Sequence, residues 1–132
     1  MEEVEQRSAT DRDVTLPLNG ALDLGYVREH VREFLADVNE NTVADAVLVV
    51  VMLTGDAYRY GIPPVTVRLL RPPDVQLLRV EVDDHRLEPG EPQAEDYRSV
   101  ILDRITDSRG VDQRDDGTTT WAEVALAARA AQ

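Results

Sequence analysis

The sequence predicts an α/β (α+β) fold of the two-layer sandwich type, in which a mixed, mainly antiparallel sheet is covered on one face by about three helices. Short segments with alternating apolar and polar residues predict strands, and longer segments with helical periodicity predict helices. These segments do not alternate regularly enough for a parallel sheet, in which a helix links each pair of strands. The 132 residues suit one domain with a core of its own.

The N-terminal part begins with polar residues and continues with a strand and a helix. Residues 1–13 have no apolar period and predict a disordered tail, which leaves residues 14–132 as a single domain. Apolar residues then alternate with Thr15 and Pro17, a pattern typical of an edge strand, where proline is tolerated. From Asp23 onward, one face of a predicted amphipathic helix is formed by Val27, Val31, Phe34, Leu35 and Val38.

A second, longer helix is predicted over 43–60. The Thr-Val-Ala-Asp sequence at 42–45 resembles a capping box, and Gly61 with the two following prolines ends the helix. Because the segment between these signals is apolar on nearly every face, we expect this helix to be buried.

The C-terminal half predicts two hairpins and a third helix. Alternating segments at 65–69 and 75–82 flank a Pro-Pro-Asp turn and predict the first hairpin. A long polar loop over 84–95 precedes a short helix that begins at Tyr97. The Asp116-Gly117 turn predicts a second hairpin, with Trp121 as a core residue of its last strand, and the Ala-rich end predicts a helical cap or a tail.

Composition excludes several classes of function. The chain has 26 acidic and 14 basic residues, a net charge of −12, and neither lysine nor cysteine. Nucleic acid is therefore an unfavourable partner, and P-loop, Schiff-base and thiolate chemistry are excluded. His30 and His85 lack the spacing of metal ligands. With no basic, apolar leader and no apolar run of about 18 residues, we expect a cytoplasmic protein and no membrane partner.

The segment LVVVMLTGDAYRYG, residues 48–61, resembles the nucleotide-binding helix of the anti-sigma-factor serine kinases, a family of GHKL (histidine-kinase-like) ATPases. Their usual pattern is close to LVVSELVTNAVRHG, and seven positions match. The positions that carry chemistry differ, with Met52 for Glu, Asp56 for Asn and Tyr60 for His. Residues 16–35, 77–89 and 115–124 resemble further segments of the family in the same order. The resemblance implies the Bergerat-type ATPase fold.

In the kinases that the resemblance points to, the Glu is the general base and the Asn holds magnesium. Met52 cannot accept a proton, so no catalytic residue is expected, and Met52 is interpreted as a core side chain. Asp56 could still hold Mg²⁺ together with a nucleotide, or pair with Arg59 or Arg98. Asp83 matches the residue that binds the adenine amino group. The Gly-Arg-Gly-Leu stretch of the phosphate lid is replaced by Asp-Tyr-Arg-Ser at 96–99, which leaves Arg98 as the candidate nucleotide contact there.

These observations favour a regulatory protein-binding domain with a degenerate nucleotide site, no kinase activity and no required cofactor. The resemblance implies a sigma factor or an anti-anti-sigma-type regulator as partner, and a homodimer formed through the first helix and the N-terminal strand. One alternative is a divergent ATP-binding serine/threonine kinase that uses Asp56 for magnesium and Asp84 or Asp96 as base. Another is a small-molecule-binding accessory domain on the same fold.

Overall fold

A computed structural model describes residues 12–18, 23–87 and 97–126. The chain order is β1 (Arg12–Leu18), α1 (Leu24–Phe34), α2 (Glu40–Tyr60), β2 (Val65–Arg71), β3 (Leu77–Asp84), α3 (Tyr97–Ile105), β4 (Ser108–Arg114) and β5 (Gly117–Ala125). The five strands form one sheet in the order β1-β2-β3-β5-β4, and every neighbouring pair is antiparallel. The predicted α+β sandwich is confirmed, although in the described part of the chain the sheet is antiparallel throughout and not mixed.

The core lies between the sheet and the helices. Alternate residues of β2 and β3 point toward the helices and are buried, so that Val67 lies opposite Val82 and Leu69 opposite Val80. The same period-two pattern continues from Leu16 in β1 to Ala122 in β5. The amphipathic stripe predicted for α1 is confirmed, because Val27, Val31 and Phe34 are its buried residues.

The two long helices begin at side-chain caps. The carboxylate of Asp23 accepts the backbone N–H of Tyr26 at 3.1 Å and caps α1. The prediction that residues 42–45 open α2 is wrong, because the side chain of Asn39 accepts the N–H of Asn41 at 2.8 Å and the helix starts at Glu40. Asn is as good an N-cap as Thr, so the earlier cap adds a turn.

α2 is not buried on every side. Its inner residues, such as Val49 and Val50, are fully buried, but Leu48 is 40% exposed. With 21 residues and a mean hydropathy of 1.2, the helix is long and apolar enough to cross a membrane, yet half of that segment is buried within the domain. The core helix of a soluble domain meets the same criteria, and α2 packs as such a helix against the sheet and α1.

The predicted strand boundaries change in three places. β1 begins at Arg12, two residues before the predicted strand, and pairs with β2 at one edge of the sheet. β3 begins at Leu77, whereas Val75 lies in the turn and is 53% exposed. β4 begins at Ser108, three residues before the strand that the sequence predicts over 111–114. Residues 1–11, 19–22, 88–96 and 127–132, which include most of the predicted tail, most of the long loop and most of the Ala-rich end, lie outside the described residues.

Trp121 is not a core residue as predicted, because its position in β5 points away from the helices. The guanidinium of Arg79 lies 4.3 Å from its ring centroid, and Arg79 also donates to Glu81 at 2.6 Å and to Glu123 at 2.9 Å. Burial alone would lower the pKa of Arg79, but the hydrogen bonds to the two glutamates outweigh it and the pKa is raised. A ladder of ion pairs therefore covers this face of the sheet.

Candidate functional site

The candidate site lies where the C-terminal half of α2 meets the first turn of α3. Met52 is 8% exposed and belongs to the hydrophobic core, which agrees with its interpretation as a space-filling side chain. Asp56 follows one helical turn later, and its side chain is 40% exposed. Residues four apart share a helix face, so the two positions that match catalytic residues of the resembled family are neighbours.

Arg98 connects these two positions. Its Nη2 atom lies 2.7 Å from Oδ1 of Asp56 and 3.3 Å from the carbonyl oxygen of Met52. A Cβ built on Gly55 would lie 3.9 Å from the same nitrogen, so the guanidinium rests against the helix backbone between Met52 and Asp56. The predicted pairing of Asp56 with Arg98 is therefore present in the structure. The structure thus brings Met52, Asp56 and Arg98 together.

Asp83, the residue that the resemblance matches to an adenine contact, does not lie beside these three residues. Its side chain lies on the face of the sheet opposite the helices, where Arg68 approaches Oδ2 at 3.0 Å and the hydroxyl of Thr119 donates to Oδ1 at 2.5 Å. Consecutive residues of a strand point to opposite faces. Because Val82 faces the core, Asp83 must face away from it.

Asp84, the next residue of β3, lies on the helix side of the sheet. It continues the buried series Leu78, Val80, Val82, and it is 1% exposed. Its Oδ1 accepts the backbone N–H of Arg86 at 2.7 Å. The alternation of apolar and polar residues along β3 is the feature of the sequence that places Asp84 on the buried side of this strand.

Gly61, which follows the last residue of α2, lies directly against this carboxylate. A Cβ on Gly61 would lie 2.6 Å from Oδ2 of Asp84 and 2.6 Å from the carbonyl oxygen of Ala57. Both distances are shorter than any Cβ contact that a folded protein tolerates. Only glycine therefore allows the end of α2 to approach the buried acid this closely.

The β4–β5 hairpin fixes the segment that follows Asp84. Nη2 of Arg114 donates to the carbonyl oxygen of Asp84 at 2.8 Å, and the hydroxyl of Thr118 donates to the carbonyl oxygen of Arg86 at 2.7 Å. The side-chain amide of Gln113 donates to the carbonyl oxygen of Leu87. The end of β3 is therefore held from both sides, by the hairpin and by α2.

The site offers limited means of holding a metal ion. Among the described residues there is no group of three or more His, Asp or Glu side chains that could ligate a metal. Asp56 would be a single carboxylate ligand, and it is already paired with Arg98. A magnesium ion at Asp56 would need most of its ligands from a nucleotide and water, and it would have to displace the Arg98 guanidinium.

One solved structure with a similar fold gives a comparison. A crystal structure of the RsbU and RsbW domains of Rv1364c from Mycobacterium tuberculosis is similar with a TM-score of 0.67 and 17% sequence identity. The similarity covers 92% of this chain and 34% of that one, so the chain spans about a third of the neighbour's length. No family model and no curated protein match the sequence. At this identity the likeness shows the fold, and the chain has the α+β sandwich of a structure that contains an RsbW domain.

Proposed function

We propose that the chain is a regulatory protein-binding domain that resembles an anti-sigma-factor serine kinase but does not transfer phosphate. The observation that carries this proposal is the contact of the Arg98 guanidinium with the Met52 carbonyl and the Asp56 carboxylate. A methionine stands where the resembled kinases have their general base, and the acid one turn later is neutralised by an arginine of the chain itself.

The missing base has a large kinetic consequence. A positioned general base contributes about 10²- to 10⁴-fold to a rate, and the Met52 thioether cannot accept a proton from a hydroxyl. Arg98 adds an obstacle, because its positive charge occupies the position at Asp56 where the resemblance places magnesium. A metal–nucleotide complex would have to break the ion pair before it could bind.

The partner of this domain is a protein, and the resemblance suggests a sigma factor or an anti-anti-sigma-type regulator. The net charge of −12 favours a partner with a basic surface and speeds the encounter with it. Nucleic acid and membranes are unfavourable partners for the same charge. We further propose a cytoplasmic location and a homodimer.

Thermal unfolding with and without ATP and magnesium tests the loss of the nucleotide site. A ligand at about 1,000 times its Kd stabilises the folded state by about 4 kcal/mol, so millimolar ATP would raise the Tm by many degrees if the affinity were micromolar. We expect no shift with ATP or ADP. A shift that disappears in Asp84→Asn but persists in the matched variant Asp83→Asn would refute the proposal.

The buried carboxylate of Asp84 favours a second candidate, a divergent ATP-binding serine/threonine kinase. An acid that is 1% exposed and lies beside a helix end can accept a hydrogen bond from a ligand amino group. In this alternative Asp84 would contact the nucleotide base and Asp56 would exchange Arg98 for magnesium. The thermal shift described above, lost on Asp84→Asn, is the result that this candidate requires.

A further inference from the structure

The strand β4 forms one edge of the sheet, and among the described residues it pairs with β5 alone. The two-residue turn that joins these strands closes on Arg114 and Gly117, which in a tight hairpin form a hydrogen-bonded pair. Hydrogen-bonded pairs recur at every second residue of an antiparallel ladder. Three residues of β4 therefore direct their backbone N–H and C=O groups away from β5, namely Arg109, Val111 and Gln113.

The opposite edge of the sheet, β1, is less suited to pairing with another strand. Pro17 lies within β1, and proline has no backbone N–H to donate. β4 contains no proline, and five of its seven residues are exposed. β4 therefore offers an uninterrupted and accessible row of main-chain donors and acceptors, which is what an added strand requires.

A cavity of about 280 Å³ lies on the helix side of the sheet beside this edge. It is lined by Leu53 of α2 and by the cross-strand pair of Val111 and Thr120. Asp103 and Arg109, which form an ion pair at 2.9 Å, also line it. Val111 is 51% exposed here. A residue opposite Val111 in an added strand would point to the same side of the sheet, so an aliphatic side chain at that place would cover Val111 and enter the cavity.

The other face of β4 carries an unpaired negative charge. Asp112 points away from the helices, because adjacent residues of a strand alternate between the two faces. Its carboxylate is exposed and has no ion-pair partner among the described residues. The next residue on that face, Arg114, is paired with Asp116 at 2.6 Å. In an antiparallel added strand, the residue before the one opposite Val111 lies opposite Asp112, so a basic side chain is favoured there.

We propose that the β4 edge binds an extended segment of the partner protein as a sixth, antiparallel strand, with an aliphatic residue in the cavity and an arginine or lysine before it, opposite Asp112. The inference rests on the proposed function, a domain that binds a protein, and names the surface and the class of segment that it binds. Main-chain hydrogen bonds supply affinity in this mode of recognition, and the cavity and Asp112 supply selectivity. The net charge of −12 favours the same basic segment at longer range.

Backbone amide NMR of the full chain, titrated with a blocked peptide, tests the β4 edge residue by residue. The probe is acetyl-Ser-Thr-Arg-Ile-Thr-Thr-Ser-amide, whose isoleucine matches the cavity and whose arginine matches Asp112. We expect saturable shifts along β4, together with slower exchange with solvent at the amides of Arg109, Val111 and Gln113. The amide of Asp112 is already bonded to β5, so its exchange should stay unchanged.

Two altered peptides and two charge variants separate strand addition from general attraction to an acidic protein. A peptide with an N-methylated isoleucine keeps every side chain but loses one main-chain donor, and we expect it to bind about tenfold more weakly or not at all. A peptide with glutamate for arginine should bind about three- to tenfold more weakly. Asp112→Arg should reverse that preference. Asp74→Arg, which makes the same charge change at an exposed position of the β2–β3 turn, is the matched control and should preserve it.

The outcomes separate this inference from the proposed function. A titration to about 5 mM peptide, several times a millimolar dissociation constant, that leaves the β4 amides unshifted would overturn the β4 edge. Equal affinity for the N-methylated peptide, or a charge preference that Asp112→Arg does not change, would overturn it as well. The thermal-unfolding test with ATP does not involve β4. A chain that binds both peptide and ATP would therefore retain the β4 edge and refute the proposed function, whereas a chain that binds neither would overturn the β4 edge and retain the loss of the nucleotide site.

Discussion

Two glycines of the candidate site should respond in opposite directions to replacement by alanine. Gly61 lies against Asp84, and a Cβ there would approach Oδ2 of Asp84 and the carbonyl oxygen of Ala57 to 2.6 Å each. Gly55 lies inside α2, where a Cβ would meet only Nη2 of Arg98, at 3.9 Å. The first position lacks room for a methyl group, and the second has room for it.

The magnitudes follow from these contacts. Overpacking of this kind costs about 1–3 kcal/mol, and at Gly61 the neighbours are a backbone carbonyl and a nearly fully buried carboxylate, so we expect the upper half of that range. Glycine within a helix is less stable than alanine by about 0.5–1 kcal/mol, so Gly55→Ala should stabilise the fold by that amount. Gly61 has extended backbone angles, φ −92° and ψ −176°, and therefore the cost at Gly61 is steric and not conformational.

Urea unfolding at one low protein concentration, followed by far-ultraviolet circular dichroism, measures both effects. The expected free energy of unfolding falls for Gly61→Ala and rises for Gly55→Ala, with unchanged m-values. If Gly61→Ala is as stable as the wild type within about 0.5 kcal/mol, the close approach of α2 to Asp84 is not as described, and the account of the site is wrong.

Three further predictions concern single side chains. Thr54 is fully buried, and its hydroxyl has no hydrogen-bond partner among the described residues. Thr54→Val should therefore leave the free energy of unfolding in urea unchanged or raise it by up to about 1 kcal/mol. Thr118→Val, in contrast, should lower it by about 1–2 kcal/mol, because it removes the hydrogen bond to the Arg86 carbonyl. Burial raises the pKa of Tyr58 above its ordinary 10.0; the folded state therefore holds this proton more tightly than the unfolded chain, and stability should fall above pH 10 more steeply in the wild type than in Tyr58→Phe. Arg98→Met should change the free energy of unfolding by no more than about 1 kcal/mol, since an ion pair that stays partly exposed to solvent contributes little. A larger loss would mean that this pair is a principal attachment of α3.

The sequence predicted the elements of the fold well because apolar periodicity reflects burial directly. The alternation in β2 and β3 and the stripe of α1 follow from one face being packed and the other solvated. The start of α2 was predicted three residues late, since residues 42–45 and Asn39 are both acceptable caps. Only tertiary contacts decide between such alternatives.

The site was harder to predict than the fold. Whether Asp83 or Asp84 faces the helices depends on which alternate residues of β3 point toward the core. Val75 was predicted as part of this strand but lies before it, and this made the alternation hard to assign from the sequence. Met52 and Asp56 lie one turn apart on α2, which their spacing predicts because residues four apart in a helix share a face. The contact of Asp56 with Arg98 depends on where α3 crosses α2, which local sequence does not encode.

The central claim, that this fold has lost its nucleotide site, is tested most directly by calorimetric titration of the full chain with ATP and ADP, with and without magnesium. Met52, Asp56 and Arg98 as arranged here predict no binding heat up to millimolar nucleotide, with an active anti-sigma-factor kinase as the positive control. Saturable binding in the micromolar range, about −8 kcal/mol, would contradict the account and favour the ATP-dependent kinase instead.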